Sequence, residues 1–268
     1  MLPPWHPHYD VWLLVFLLAY GYWYADRRLR PVIAPAARGA TRGQKWQWYG
    51  AVFFLWFVSG WPIHDLGESA LFTVHMVEHM VIALVIPPLL LRGAPRWLAD
   101  VTLGRPSVAR WIRPLARPVP AFVLFNTTLI VIHWPELVGW MLTSDLAHLS
   151  VHTWLFAVSI LMWLPVFSPT AAIPRLSPPG QMFYLFLQSL LPTIPASFLT
   201  FSSVALYPVY GDAALAFGLT AVADQTISGV IMKLGGGLLL WATIATIWFR
   251  WARQERELEE LESSLRAT

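Results

Sequence analysis

Long apolar runs alternate with short polar segments along the whole chain. A run of roughly 17 to 25 apolar residues crosses about 30 Å of hydrocarbon at 1.5 Å per residue in an α-helix. Sheet edges cannot face lipid, so the runs predict helices rather than strands. We expect an all-α integral membrane protein, a bundle of seven transmembrane helices near Val11–Ala25, Trp46–Pro62, Ser69–Leu91, Val119–Trp134, Ala147–Phe167, Met182–Leu206 and Gln225–Trp251.

The basic residues predict the orientation of this bundle. If seven spans alternate, seventeen of the eighteen Lys and Arg residues fall on one side, which the positive-inside rule makes cytoplasmic. The N-terminus is then outside and the C-terminus cytoplasmic. The outer side has no Lys or Arg in its connections, only the acidic residues Asp10, Asp65, Glu68, Glu136, Asp145 and Asp212.

The connections give no sign of a second domain. Residues 1–268 are predicted to form a single seven-helix membrane domain, with a charged cytoplasmic tail over residues 252–268 that extends the last helix. Pro106–Leu115 is predicted as a short interfacial helix. Residues 1–10 lack the basic cluster that opens a secretory signal peptide, so we expect them to belong to the mature protein.

Composition agrees with a chain whose partner is the lipid bilayer. Hydrophobic residues make up 57% of the sequence and charged residues 12%. The high pI of about 9.4 follows from the cytoplasmic arginines, so it does not indicate nucleic-acid binding. The chain has no cysteine, which excludes disulfides and thiolate metal sites.

All eight histidines fall at the outer ends of the predicted spans. Two pairs, His75/His79 and His148/His152, have the i, i+4 spacing that places both imidazoles on one helical face. Ionisable groups inside spans are costly and usually face a cavity, so Glu78 between the first pair strengthens the prediction of a polar site. A face with two imidazoles can chelate a metal ion.

The neighbouring side chains indicate which metal. Histidine with thioether sulfur and no thiolate favours copper as Cu(I). At helical rise, Met232 lies at a depth similar to that of His79. The predicted ligands are His75, His79, His148 and His152, with His133, Met232, Met76 and Met80 as accessory ligands. Glu78 and Asp224 are expected to orient ligands or balance charge, and Lys233 to pair with one of these two carboxylates.

Four motifs in order resemble the CtaG-type cytochrome c oxidase assembly factors, the multi-span family associated with caa-type oxidases. They are His75-Met76-x-x-His79-Met80 leading to Pro87-Pro88, then His133-x-Pro135, then His148-x-x-x-His152 leading to Trp163-x-Pro165, and Asp224-Gln225-x-x-x-Gly229-x-x-Met232. Together they cover roughly residues 50 to 250. The family often has glutamine where Glu78 stands and an aromatic residue where Lys233 stands.

The resemblance implies a function in the maturation of haem–copper oxidases. It implies an assembly factor or metallochaperone rather than an enzyme, with no catalytic residues, that delivers copper to oxidase subunits. The implied location is the bacterial cytoplasmic (inner) membrane, multi-pass, with the metal site facing the periplasm. A periplasmic copper donor fits this scheme, and a homo-oligomer is compatible with it.

Three other functions stay open on the sequence alone. His75-x-x-Glu78-His79 fits the H-x-x-E-H pattern of zinc peptidases, in which two histidines bind zinc and the glutamate activates water. Paired histidines on two membrane helices also ligate haem in b-type electron carriers. Seven spans with Lys233 in the last resemble retinal proteins, although this lysine lies outside mid-span.

Overall fold

The computed structural model describes residues 2–211 and 213–266. These residues form helices and connecting turns, with no β-strand among them. Asp212 and the last two residues of the predicted tail lie outside the described residues. The prediction of an all-α fold is therefore confirmed for the described part of the chain.

The α-helices are numbered in chain order. They are α1 Tyr9–Tyr24, α2 Arg30–Ile33, α3 Arg42–Val58, α4 Ile63–Ser69, α5 Phe72–Met80, α6 Ile86–Gly93, α7 Arg96–Val101, α8 Pro106–Leu115, α9 Pro118–Ile132, α10 Pro135–Leu142, α11 Asp145–Phe167, α12 Pro178–Leu190, α13 Thr193–Phe201, α14 Ala221–Val230 and α15 Gly236–Arg266. π-Helical turns at Ala25–Leu29, Val81–Val85 and Ile231–Gly235 join α1 to α2, α5 to α6 and α14 to α15, and 3₁₀ turns form at Pro208–Tyr210 and Ala213–Phe217.

Four continuous or nearly continuous helical segments are long and apolar enough to cross a membrane: Phe72–Gly93, Asp145–Phe167, Pro178–Phe201 and Ala221–Arg266. The pair α8 and α9, bent by 71°, makes a fifth candidate if it is counted as one span. The charged tail does extend the last helix, which continues without a break to Arg266. The described chain thus has the helices of a membrane protein, with four or five candidate spans.

The sixth predicted span differs from expectation in length, and the first two are short. The first two form α1 and α3, but these have 16 and 17 residues, at the short end of what crosses the hydrocarbon layer. The sixth was predicted to continue to Leu206, yet α13 ends at Phe201, and residues 202–211 and 213–220 form turns over one end of the bundle.

The π-helical turn after α5 has a clear cause in the sequence. Pro87 has no N–H to donate to the carbonyl of Ala83, four residues earlier, and a proline ring would clash with that carbonyl in a regular helix. The wider turn removes the clash, and Trp163 Nε1 on α11 donates a hydrogen bond of 3.0 Å to Ala83 O. The Pro87 and Trp163 motifs therefore hold α5–α6 against α11.

Helix packing places this pair of helices in the middle of the bundle. α6 packs against α3 and α11, α11 against α9, and α5 against both α4 and α14. The main apolar core lies along α11, with Met162, Trp163 and Leu164 almost fully buried. A smaller apolar cluster, which includes Phe72 and Tyr207, closes the end of the bundle at which α5 and α11 begin.

Candidate metal centre

α5 begins against a carboxylate from a distant helix. Asp224 on α14 is buried, and its Oδ2 and Oδ1 accept hydrogen bonds from the backbone N–H groups of Phe72 (2.6 Å) and Thr73 (3.1 Å). These are among the N–H groups that a helix start leaves without an intrahelical partner, and a negative charge is favourable there. Asp224 therefore fixes the start of the helix that bears His75 and His79, and it does so without touching either imidazole.

His75 and His79 lie one turn apart on α5 and face the interior. The side chains are 2% and 6% exposed, and their ring centroids lie 4.1 Å apart. His148 and His152 repeat this arrangement at the start of α11, also with ring centroids 4.1 Å apart. The predicted i, i+4 stacking is present in both pairs.

The two pairs meet across the interface between α5 and α11. His152 Nε2 lies 2.7 Å from His79 Nε2, and His152 Nδ1 lies 3.0 Å from His148 Nε2. His152 thus contacts His79, in the other pair, through its Nε2, and His148, in its own pair, through its Nδ1. One nitrogen from each of His75, His79 and His152 lies within 4.8 Å of the others, so these three residues form the deeper of two three-histidine groups.

The second group adds a histidine from the short helix α4. His64, His148 and His152 each offer a nitrogen within 4.8 Å of the other two, and His64 is buried. Glu68, one turn further along α4, approaches both neighbours. Its Oε1 lies 3.4 Å from His64 Nε2 and 2.7 Å from His148 Nδ1. Together the five residues His64, His75, His79, His148 and His152 are called the histidine cluster below.

Glu78 provides a negative charge inside this cluster. It is 0% exposed, and His64 Nδ1 donates to its Oε1 at 2.9 Å. Burial opposes a charge on His64, but Glu78 and Glu68 together raise the pKa of His64 to about 11. The two carboxylates thus favour the protonated form of His64, which can serve as a ligand only after losing a proton.

The accessory residues lie on the far side of His79. His133 follows the last residue of α9, as predicted, and its Nδ1 donates to Leu129 O at 2.6 Å, which leaves Nε2 free of that bond. A small cavity of about 50 Å³ lies beside His79, His133 and the three predicted methionines, Met76, Met80 and Met232. Such a volume holds a few water molecules or an ion. None of these four accessory residues belongs to either three-histidine group.

The expected ion pair of Lys233 is wrong. Among the described residues Lys233 pairs with neither Asp224 nor Glu78; its Nζ donates to the hydroxyl of Thr193 at the start of α13. The residue lies in the π-helical turn before α15, where its side chain reaches the same cavity as Met232. The carboxylates are already engaged, Asp224 by α5 and Glu78 by His64.

The donor set fits a bound metal ion. Five buried side-chain nitrogen or oxygen atoms form no hydrogen bond with the described residues, and His75 Nδ1 and Glu78 Oε2 are two of them; His148 Nδ1 is a third, but it lies 2.7 Å from Glu68 Oε1 in an ion-pair contact. Buried polar atoms are nearly always satisfied, by protein, water or an ion, so their concentration at one place points to a missing ligand. Clustered imidazoles suit copper and zinc.

Two residues of this site were not predicted from the sequence as functional. His64 was noted only as an outer-side histidine, and Glu68 only as an outer-side acid. Their i, i+4 spacing on α4 was a usable signal, because it places both side chains on one helical face. The apolar pattern predicts this segment only as a connection between spans, without a helix of its own.

The fold and the cluster define a helical membrane protein with a buried polyhistidine centre. Residues 19–254 match the sequence model of the cytochrome c oxidase caa3 assembly factor family, Caa3_CtaG. The chain belongs to this family, which confirms the resemblance seen in its four motifs. No solved structure matches the chain.

Several curated relatives come from mycobacteria. Uncharacterized proteins of Mycobacterium bovis and Mycobacterium tuberculosis are each 28% identical over 82% of this chain, and one of Mycobacterium leprae is 25% identical over 79%. The matched region makes up 37% of the first two proteins and 34% of the third, so the chain spans about a third of the length of these relatives.

Proposed function

We propose that this chain binds copper as Cu(I) in the histidine cluster and passes it to subunits of a haem–copper oxidase during assembly. The observation that supports this most strongly is the meeting of two histidine pairs, from α5 and α11, in a buried site with unsatisfied polar atoms. Imidazole is a copper ligand, and neighbouring thioethers favour the Cu(I) state. Membership of an oxidase assembly family supports the nature of the recipient.

The shared residue His152 suggests how one ion moves between the two groups. A neutral imidazole has a lone pair on only one nitrogen, so His152 can ligate in one group at a time. Its Nδ1 faces His148 and its Nε2 faces His79. We therefore propose one copper ion that alternates between a shallow position, with His64 and His148, and a deep position, with His75 and His79.

We further propose that the bundle spans the bacterial cytoplasmic membrane seven times, with the N-terminus and the histidine cluster on the periplasmic side. The Arg-rich connections and the histidines lie at opposite helix ends, as this topology requires. The cluster would then accept copper from a periplasmic donor. Because the chain has no cysteine, labelling of single cysteines placed at Glu136 and Arg105 with a membrane-impermeant reagent tests this orientation.

A non-catalytic role fits the site better than a zinc peptidase or a b-type electron carrier does. In a zinc peptidase, Glu78 would activate a water that peptide can reach, whereas Glu78 is completely buried and holds His64. In a b-type carrier, a haem would separate the helical pairs, whereas the rings of His79 and His152 contact each other directly. The assembly-factor family supports the same conclusion.

The test is the copper content of the detergent-purified protein after anaerobic loading with Cu(I) and competition with a coloured Cu(I) chelator. Wild type should retain copper, and the His75→Ala/His79→Ala variant should lose it. Trp163→Phe on α11 is the control, since it removes a buried hydrogen bond from the same interface but no imidazole. In cells lacking the native chain, the histidine variant should also leave the oxidase deficient in copper.

Other outcomes would redirect the proposal. Zinc retained in place of copper, with peptide cleavage that Glu78→Gln abolishes, would favour the peptidase. A haem spectrum in the purified protein would favour the electron carrier. Copper retained equally by wild type and the double-histidine variant would remove the cluster from the mechanism.

A further inference from the structure

A third group of metal-ligating side chains lies above the histidine cluster, where the N-terminal segment crosses α4. His8 Nε2 is 2.9 Å from Asp65 Oδ2 on α4. The rings of His6 and His8 are 5.2 Å apart, and one ligand atom from each of His6, His8 and Asp65 lies within 4.8 Å of the others. His6 is exposed, whereas His8 and Asp65 are half-buried. This set is called the outer group below.

The segment that bears these histidines is held in place. Trp61 Nε1 donates a hydrogen bond of 3.1 Å to Pro3 O, which ties the segment to the turn between α3 and α4. The contact between His8 and Asp65 ties it to α4. That contact alone would suffice to anchor the segment, and it does not account for His6, which forms no hydrogen bond or ion pair with any described residue. Both ring nitrogens of His6 are therefore available to bind a ligand.

The outer group is continuous with the histidine cluster. The His8 ring lies 5.0 Å from the His64 ring, and the His64 ring lies 5.0 Å from the His148 ring. From there the row continues through His152 to His79, with centroid distances of 4.1 Å and 4.7 Å. An ion could therefore pass from exposed His6 to the buried centre by exchanging one imidazole for the next.

The charges around this row also suit a cation. α4 carries Asp65 under the outer group and Glu68 between His64 and His148. The connections at this end contain no Lys or Arg, so the approach is negative, and such a surface raises the local concentration of cations. Both carboxylates thus lie along the path that an incoming metal ion would take.

We propose that His6 and His8, with Asp65 orienting the His8 ring, form a loading site that captures Cu(I) from solution or from a donor and passes it through His64 to the buried cluster. This rests on the proposed function of the cluster. The ion keeps its oxidation state throughout, each step exchanges one ligand for another, and the proton that His64 loses on binding the ion passes to Glu68, whose Oε1 lies 3.4 Å from His64 Nε2. The family match begins at residue 19, so His6 and His8 lie outside the matched region, whereas Asp65 lies inside it.

The test measures loading rate and stoichiometry together. Purified full-length protein in detergent is mixed anaerobically with the Cu(I) complex of a coloured chelator, and copper transfer is followed by absorbance. We expect His6→Ala/His8→Ala to load the buried cluster at least 10-fold more slowly than wild type, to bind one weakly held copper fewer, and to retain the tightly held copper of the cluster. Asp65→Asn should also slow loading. Asp10→Asn makes the same charge change at an exposed position in the first turn of α1, and it should leave the loading rate unchanged.

The outcomes separate this inference from the proposed function. Equal loading rates and equal stoichiometry in wild type and the His6/His8 variant, with copper present in the cluster, would overturn the loading site and leave the cluster's function intact. Wild type with no tightly held copper would refute the proposed function, and the loading site with it. Both substituted histidines lie outside the helices, so misfolding is not expected, and a retained tight site in the variant verifies this directly.

Discussion

Removal of the Asp224 carboxylate should destabilise the protein and disturb the metal centre together. Asp224 accepts two backbone hydrogen bonds at the buried start of α5. A hydrogen bond to a charged group contributes about 1.5–3 kcal/mol, so Asp224→Ala should cost about 3–6 kcal/mol of unfolding free energy. For a chain of this size, such a loss lowers the melting temperature on the order of 10 °C. His75 follows Phe72 by one turn, so copper affinity should fall as well.

Two further variants isolate the cause. Asp224→Asn keeps an oxygen acceptor but loses the charge, so it should cost less than the alanine variant. Thr41→Ala removes the side-chain cap of α3, because the Thr41 hydroxyl accepts a hydrogen bond of 3.2 Å from Gln44 N. It should cost about 1 kcal/mol without changing copper affinity, since α3 carries no histidine. Thermal unfolding in detergent and chelator competition measure both quantities. Equal melting temperatures for wild type and Asp224→Ala would refute the capping role.

Three other substitutions separate parts of the proposed mechanism. His152→Ala removes a residue from both three-histidine groups, so it should abolish tight copper binding. His148→Ala should leave the deep group able to bind. Equal copper affinities of the two variants in chelator competition would contradict the shared-ligand scheme. Glu78→Gln should weaken copper binding by about 10–100-fold, the usual effect of losing a residue that orients a ligand, and titration with Cu(I) measures it. Gly229→Ala would place a Cβ 2.8 Å from Ala196 O and 2.8 Å from Leu199 Cβ. Overpacking should therefore lower the free energy of unfolding by about 1–3 kcal/mol, which thermal unfolding measures. An unchanged melting temperature would argue against this close approach of α13 and α14.

The helices themselves were largely predictable, because apolar length and helical rise decide what can cross a bilayer. Their interruptions were less so. Pro87 explains the π-helical turn after α5, but the carbonyl of Ala83 that this turn frees accepts its hydrogen bond from Trp163, which lies on another helix. The end of α13 at Phe201 was missed because Val204, Ala205 and Leu206 continue the apolar run while their backbone turns over the bundle.

The candidate site was predictable only within single helices. Spacing alone places His75 over His79 and His148 over His152. It does not say that the two faces meet, since this depends on how α5 and α11 pack. For the same reason the pairing of Lys233 was predicted wrongly. Charge suggested a carboxylate partner, but helix rotation brings the ammonium group to Thr193.

The shared imidazole also bears on how a transfer protein can both hold and release its ion. A site that binds copper with many ligands holds it firmly, but release then requires all of them to leave. In the proposed scheme each position has three imidazoles, and His152 stays close to the ion while the other two are exchanged. Each step then replaces ligands of the same chemical kind at nearly constant distance. Because His64 must lose a proton before it can bind the ion, the shallow position should hold copper less tightly than the deep position, and release to a recipient subunit should start from the shallow position.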